Sequence, residues 1–377
     1  MSLVLDHVHR EVAGHVHIRD VSLELARGSL NVLLGATLAG KTTLMRLMAG
    51  LDVPTSGRVV VEGRDVTGLP VKKRSVAMVY QQFINYPALS VYENIASPLR
   101  VARLPRAEID RKVHEAAALL KLEPYLQRRP LELSGGQQQR TAIARALVKG
   151  ADLVLLDEPL ANLDYKLREE LREELPRIFA ESGAIFVYAT TEPTEALLLG
   201  GNTATLLEGA VTQFGPTPSV YRQPQDLATA GVFSDPPLNT LRVTRIGPRI
   251  RLESGITAPA SGVFATVPDG SYTMGVRAHH LGVDETVFMG DASGASASPG
   301  EASGDLIRLS ASVSVSEITG SESYVHMDVG TERLIALVPG VRRLEPGAYV
   351  DVLIDPRHVL LFDTDGRSAG RVFDAAA

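Results

Sequence analysis

The stretch Gly35-Ala36-Thr37-Leu38-Ala39-Gly40-Lys41-Thr42-Thr43 decides the fold. It fits the pattern of Gly, four residues, then Gly-Lys-Ser/Thr, a loop whose backbone N–H groups cradle phosphates. An apolar strand-like run over 30–34 leads in, and a helix-like run over 42–49, stopped by Gly50, leads out. A loop at a strand-to-helix junction aims several N–H groups at one spot, and the helix dipole adds positive potential there. Lys41 supplies a point charge for the β- and γ-phosphates, and the Thr42 hydroxyl is suited to Mg²⁺.

Outward from this loop, Leu153-Val154-Leu155-Leu156 is a continuous apolar run ending in Asp157-Glu158-Pro159, and residues 184–188 form a second. Such runs suit parallel strands buried on both faces. Between them, residues 165–179 read as an amphipathic helix with Leu167, Leu171, Leu175 and Ile178 on one stripe. Its Arg/Glu run reads as a solvated face, and Pro176 predicts a kink or an end. Residues 76–80 form another apolar strand, followed by Gln81 and Gln82. Residues 105–148 read as mostly helical, with Ser134 as an N-cap. Strands alternating with helices predict a parallel α/β sheet.

The pattern changes near Asp235-Pro236-Pro237. Beyond it, Leu309, Ala311, Val313 and Val315 alternate with serines, and Val325, Met327 and Val329 alternate with polar residues. Short strands between Gly/Pro turns predict a small barrel, with 290–304 as a flexible loop inside it. Residues 3–25 read as short strands carrying His7, His9, His15 and His17 at i, i+2 spacing. Exposed strand histidines are the simpler reading than a metal site, since no carboxylate pattern completes one.

Composition sets limits. The 377 residues are 45% hydrophobic and 22% charged, which suits two or three soluble domains. A net charge of −6 argues against bulk binding to nucleic acid or anionic lipid. With no cysteine, disulfides and thiolate metal sites are excluded. The first six residues lack the pattern of a secretory signal, and no run of 18 apolar residues occurs, so work at a membrane would go through a partner.

Five spaced elements converge: the phosphate loop, Gln81 after a strand, Leu133-Ser134-Gly135-Gly136-Gln137 opening a helix, Asp157-Glu158 ending a buried strand, and Leu160-Ala161-Asn162-Leu163-Asp164. In this order they resemble the nucleotide-binding subunits of ABC transporters, over essentially the whole chain. The resemblance implies an α/β P-loop NTPase cassette over 1–235 with a helical subdomain at about 89–148. It also implies a C-terminal all-β OB-like accessory domain over 236–377. By the same resemblance, Lys41 and the amides of Gly35, Ala36, Thr37, Leu38, Ala39, Gly40 and Thr43 hold ATP. Thr42, Gln81 and Asp157 hold Mg²⁺, and Glu158 polarises the attacking water. Ser134, Gly135, Gly136 and Gln137 contact ATP held by a second, facing cassette, and Asp164 lies at that interface.

Met274-Gly275-Val276-Arg277-Ala278-His279-His280-Leu281 and Ile354-Asp355-Pro356-Arg357-His358 resemble the accessory domain of maltose-type importer ATPases for sugars and polyols. Tyr86-Pro87-Ala88-Leu89-Ser90-Val91-Tyr92-Glu93-Asn94 resembles the segment beside the permease-docking surface, so 81–99 is the expected docking region. Residues 35–52 and 83–100 look most like an ATPase subunit of bacterial glycerol importers. The implied partners are two membrane permeases, a second cassette and, indirectly, a solute-binding protein. The implied location is peripheral, on the cytoplasmic face of the inner membrane, without nucleic acid.

Three positions depart from the family pattern. Thr191 stands where the switch histidine is expected and cannot supply an imidazole. Val12 stands near the place of the aromatic that stacks on adenine. Leu38 replaces a loop glycine, at a backbone angle glycine tolerates best. All three lie on the chain's own ATP-holding half, while 133–140 is intact. A heterodimer is therefore expected, with a slow site at Lys41 and a partner carrying the histidine; the alternative is a weakly hydrolytic cassette acting as a structural or regulatory partner, which Thr191 favours and intact Glu158 and Gln81 oppose. Ser134→Arg is then expected to damage transport more than Glu158→Gln.

Overall fold

The computed structural model describes residues 2–82, 84–161, 163–284 and 306–370. Phe83, Asn162 and the loop at 290–304 lie outside the described residues. The chain divides into two compact units, Met1–Val220 and Tyr221–Ala377.

The first unit runs β1 (Ser2–Val12), β2 (His15–Ala26), β3 (Leu30–Leu34), α1 (Lys41–Ala49), β4 (Ser56–Val61), β5 (Arg64–Asp65), β6 (Val76–Val79), α2 (Val91–Val101), α3 (Arg106–Leu119), α4 (Gly135–Val148), β7 (Leu153–Asp157), α5 (Tyr165–Ser182), β8 (Ile185–Thr190), α6 (Pro193–Leu199), β9 (Asn202–Leu207) and β10 (Ala210–Pro216). One sheet has the order β10-β9-β3-β8-β7-β6, parallel except for β10. Every residue of β7 and β8 is buried, as continuous apolar runs require of interior strands. β3 lies between β9 and β8, so its C-terminal end delivers residues 35–40 to α1 from the middle of the sheet. Leu44, Met45 and Met48 of α1 pack with Leu33, Leu155 and Val187 of this sheet and with Leu3, Leu5 and Leu23 of the second sheet. Each such buried side chain contributes about 1.5–3 kcal/mol, which anchors the helix behind the loop.

That second sheet is antiparallel, in the order β2-β1-β4-β5. Short strands were expected over 3–25, but β1 and β2 are 11 and 12 residues long. Register shifts at Leu5/Val8, Val8/Arg10 and Arg10/Glu11 bend one long hairpin, with His7 at φ 51° and Asp20 at φ 46°. Extra residues in a strand break its alternation without ending it. His7 Nδ1 lies 2.7 Å from Asp20 Oδ1 on this exposed hairpin. Among the described residues, no three His, Cys, Asp or Glu side chains gather as a metal-holding group.

Pro176 was expected to kink or end α5; it does not end it, and the helix runs through to Ser182. An interior proline costs roughly 3 kcal/mol, which burial of Leu175 and Phe179 on either side offsets at about 1.5–3 kcal/mol each. Its Arg/Glu run is not wholly solvated either. Arg172 is 9% exposed and faces Glu195 of α6, itself 3% exposed.

Among its described residues the second unit holds α8 (Leu227–Val232) and ten strands, and α7 is Thr217–Arg222. These are β11 (Asn239–Ile246), β12 (Arg249–Leu252), β13 (Thr257–Pro259), β14 (Gly270–Val276), β15 (Leu281–Asp284), β16 (Ile307–Ile318), β17 (Glu322–Val329), β18 (Glu332–Pro339), β19 (Tyr349–Ile354) and β20 (Leu360–Phe362). They form two five-stranded sheets, β13-β12-β11-β14-β20 and β15-β19-β16-β17-β18, around a common core. The unit begins upstream of Asp235 because Leu227 N–H donates to Gly366 O at 2.8 Å and Ala230 packs on Leu360 and Phe362. Val315, expected inside, is 47% exposed. A register shift between Val313 and Val315 reverses the strand's phase there.

After β14, Arg277 is buried with its guanidinium 3.9 Å from the Tyr221 ring centroid. His280 stacks on His358 at 4.3 Å and meets His279 edge-on at 4.2 Å. Burial first, then His279, His358 and Arg277, pull the His280 pKa from 6.5 down to about 3, with Asp355 opposing. The folded unit therefore binds fewer protons than the unfolded chain between these values. The contribution to stability is complete above pH 6.5 and is lost as pH falls towards 3. His280 is only about half buried, so screening limits the loss to about 1–2 kcal/mol. On acidification below pH 6.5, the calorimetric midpoint of this unit is expected to fall more steeply than in His280→Phe, which keeps a stacking ring without the titration. Parallel curves would contradict this.

Candidate functional site

The end of β3 leads into two glycine-dependent contacts. A Cβ on Gly35 would lie 2.5 Å from Leu206 O, and one on Gly40 would lie 2.9 Å from His17 O. Gly40 also caps α1 at φ 104°, a left-handed conformation. Leu38, expected to disturb a glycine angle, keeps that region at φ 69° with its side chain 96% exposed. The leucine side chain projects away from the protein, and its left-handed backbone costs about 1–2 kcal/mol relative to glycine.

Lys41 is 5% exposed. Its Nζ donates to Gly35 O at 2.8 Å and Ala36 O at 3.0 Å, and lies 3.5 Å from Glu158 Oε1. Burial lowers its pKa, and the Glu158 and Asp157 carboxylates oppose this. Thr42 Oγ1 donates to Asp157 Oδ2 at 2.8 Å. Asp157, 2% exposed at the end of β7, has its pKa raised by burial against the Thr42 hydrogen bond. Gln81 Nε2 donates to Glu158 Oε2 at 2.9 Å. Glu158 itself sits at φ 46°, its N–H donating to Ala189 O of β8 at 3.0 Å. The strand ends thus bring Lys41, Thr42, Gln81, Asp157 and Glu158 together from across 118 positions of sequence, 41 to 158.

Lys41, Thr42, Gln81 and Glu158, with Thr37, Leu38, Gly40 and Thr43 of the loop, line a cleft of about 360 Å³ that extends to Val16, His17, Arg19, Glu208 and Gly209. Asp157, Gly35, Ala36 and Ala39 are not in its lining, and Asp157 meets it through its hydrogen bond with Thr42. Its donor set fits a nucleotide with a hard cation. A buried lysine and loop N–H groups face one region, and a hydroxyl, an amide and a carboxylate supply oxygen ligands of the kind Mg²⁺ takes.

Other expected residues lie elsewhere. Ser134, Gly135, Gly136 and Gln137 open α4 and do not line this cleft. Ser134 Oγ accepts from Gln137 N at 3.3 Å, and Gln137 Oε1 accepts from Ser134 N at 3.0 Å, so the helix start is built by a capping box. Asp164 is exposed and also outside the cleft. Thr191 is exposed and does not line it, although Thr190 O accepts from Gly35 N at 3.4 Å. Val12, 44% exposed, is absent from the lining.

Sequence reasoning missed three contributors. Gln139, 1% exposed on α4, donates from Nε2 to Pro159 O and, at 3.5 Å, to Glu158 O, tying α4 to the Asp157–Glu158 turn. Its place directly after the Gly-Gly-Gln run was the available signal. His17 and Arg19 carried none, because they reach the cleft through a distant turn at Glu208 and Gly209.

A phosphate loop on a parallel sheet, with an Asp-Glu strand end facing it, defines a P-loop ATPase cassette. The ABC transporter family model matches residues 18–161, and the TOBE domain model matches 308–361. The chain belongs to the ABC transporter ATP-binding family, a family of ATP hydrolases. It is 34% identical over 364 residues to the sn-glycerol-3-phosphate import ATP-binding protein UgpC of Paracoccus denitrificans, covering 96% of this chain and 97% of that one. It is 36% identical over 366 residues to the trehalose/maltose import ATP-binding protein MalK of Thermococcus litoralis, covering 93% and 95%. Among solved structures, a dimeric ATP-binding cassette in a post-hydrolysis state with ADP and Pi matches 57% of this chain and 98% of its own. The TM-score is 0.53 and the identity 27%.

Proposed function

We propose that the cleft binds ATP with Mg²⁺ and that the chain is the ATP-binding subunit of an importer for a sugar or polyol, with glycerol or its phosphate ester as the leading solute. The convergence of Lys41, Thr42, Gln81 and Glu158 on one cleft, with Asp157 hydrogen-bonded to Thr42, carries the reading. Lys41 and the loop amides of residues 35–43 other than Gly35 and Ala39 hold the phosphates, those two being already donated to Thr190 O and Ala36 O. Thr42, Gln81 and Asp157 hold Mg²⁺, which supplies charge neutralisation on the phosphates when bound. Glu158, positioned by Lys41 and Gln81, orients and polarises the attacking water. The relatives named for glycerol-3-phosphate and for trehalose and maltose support the solute class.

The exposure of Ser134, Gly135 and Asp164 away from the chain's own cleft supports a composite dimer in which 134–137 complete a partner's ATP site. Thr191, exposed and outside the cleft lining, favours a slow site here and a histidine-bearing second cassette. The cassette serves from the cytoplasmic face of the inner membrane. No helix among the described residues is long and apolar enough to cross one.

Permease docking falls on a groove of about 560 Å³ lined by Leu51, Val71, Met78, Tyr86, Leu89 and Val101 among others. Tyr86 is 51% and Val101 84% exposed. Buried Asn94 fixes the groove wall, accepting from Tyr86 N at 2.8 Å and donating to Tyr86 O at 3.1 Å. An apolar groove beside the C-terminal turns of α2, at Ser97, Pro98 and Val101, suits an amphipathic permease helix. Val101→Asp is expected to release the chain from the membrane fraction and abolish uptake; normal recovery with membranes would contradict the docking.

A further inference from the structure

We infer that His17 and Arg19 of β2 hold the nucleoside half of the nucleotide, His17 as the platform for the base and Arg19 as the donor to its sugar and inner phosphate. The inference rests on the proposed ATP-binding function and extends it to the part of the cleft beyond the phosphate loop.

Three observations converge there. The first is placement: the cleft continues from Gly40, Lys41 and Thr43 to Val16, His17, Arg19, Glu208 and Gly209. Lys41, Glu158 and Gln81 are linked to one another and mark the terminal-phosphate side. The second is close packing. A Cβ on Gly40 would come 2.9 Å from His17 O, and one on Gly209 would come 2.5 Å from the same oxygen. Two glycines therefore let the β2 backbone press against the start of α1 and the turn at Gly209, at the place where His17 lines the cleft. The third is anchoring. Arg19 N donates to Gly209 O at 2.8 Å, and its Nε donates to Glu208 O at 3.1 Å. The turn thus holds the guanidinium by one edge.

An imidazole offers a flat π face to a purine, and a guanidinium combines stacking with donors to sugar and phosphate oxygens. Val12 offers no ring and lies outside the cleft lining. β2 thus supplies the aromatic surface that the hairpin tip lacks.

The test titrates the purified full chain by calorimetry with ATP and with inorganic tripolyphosphate, both with Mg²⁺. His17→Ala is expected to weaken ATP about tenfold, the scale of one lost base stack, with tripolyphosphate unaffected. His17→Tyr restores ATP binding, which excludes misfolding as the cause. Arg19→Ala weakens ATP in the same direction and weakens tripolyphosphate by less, because only the contact to the inner phosphate is shared by the two ligands. Unchanged ATP affinity in His17→Ala, or equal loss for both ligands without rescue by His17→Tyr, overturns the inference. Lys41→Ala separates the underlying reading, because it is expected to weaken both ligands. If it weakens neither, the phosphate-loop assignment fails on its own account.

Discussion

Ser134→Arg in this chain is expected to lower solute uptake by about 10²-fold, the scale of removing preorganised donors from a phosphoryl-transfer site, while Glu158→Gln lowers it by less than about threefold. Ser134 is exposed at the start of α4, and its hydroxyl is half of the capping box with Gln137. Arginine removes that hydroxyl and fills the space in front of the helix N-terminus, where a partner's nucleotide would lie. It also brings a cation to the positive end of the helix dipole. In the proposed dimer Glu158 belongs to the other composite site, whose turnover is expected to be slow already because Thr191 replaces the histidine and lies outside the cleft lining. Uptake into cells carrying each variant reads the ranking directly. The reverse order would remove the asymmetric dimer and leave two equivalent sites.

The second large effect concerns stability. Arg172→Met is expected to destabilise the first unit by about 3–5 kcal/mol, because it strands a buried carboxylate. Arg172 donates to Glu195 Oε1 at 3.0 Å, Glu192 Oε2 at 2.8 Å and Glu169 Oε1 at 2.6 Å. Glu195 also accepts from Tyr188 at 3.0 Å and from Thr190 at 2.6 Å. Burial disfavours the guanidinium's charge, but Glu195 and Glu169 more than compensate and raise its pKa. Each kcal/mol moves the midpoint of a unit this size by about 2–4 °C, so calorimetry should see a fall on the order of 10 °C. The double variant Arg172→Met/Glu195→Leu is expected to recover part of it, since removing both charges is far cheaper than removing one. A single variant that melts with the wild type would mean that the network is solvated. The effect reaches the site because Thr190, held by Glu195, accepts the Gly35 N–H that begins the phosphate loop.

The central architecture was legible because its signals are local. β3, the loop and α1 follow one another in sequence, and β7 and β8 announce their burial through unbroken apolar runs. The pairing of Thr42 with Asp157 was implied by family resemblance, and the geometry places the two side chains in hydrogen-bond contact. Features that depend on distant partners did not register. Pro176 continues a helix because residues on both sides are buried, and Val315 turns outward because β17 sets the register. Arg172 looked like one more surface charge until α6 folded across it. His17 and Arg19 reach the cleft only through a turn nearly two hundred residues away. Periodicity reports a residue's own element, whereas these roles are set by the element packed against it.

The most direct test of the account is affinity purification of this chain from native membranes in mild detergent, with mass spectrometry of what accompanies it. The account predicts two permeases and a second cassette that carries a histidine at the position of Thr191. Recovery of permeases with this chain as the sole cassette would contradict the paired arrangement. Recovery without any permease would contradict the importer itself.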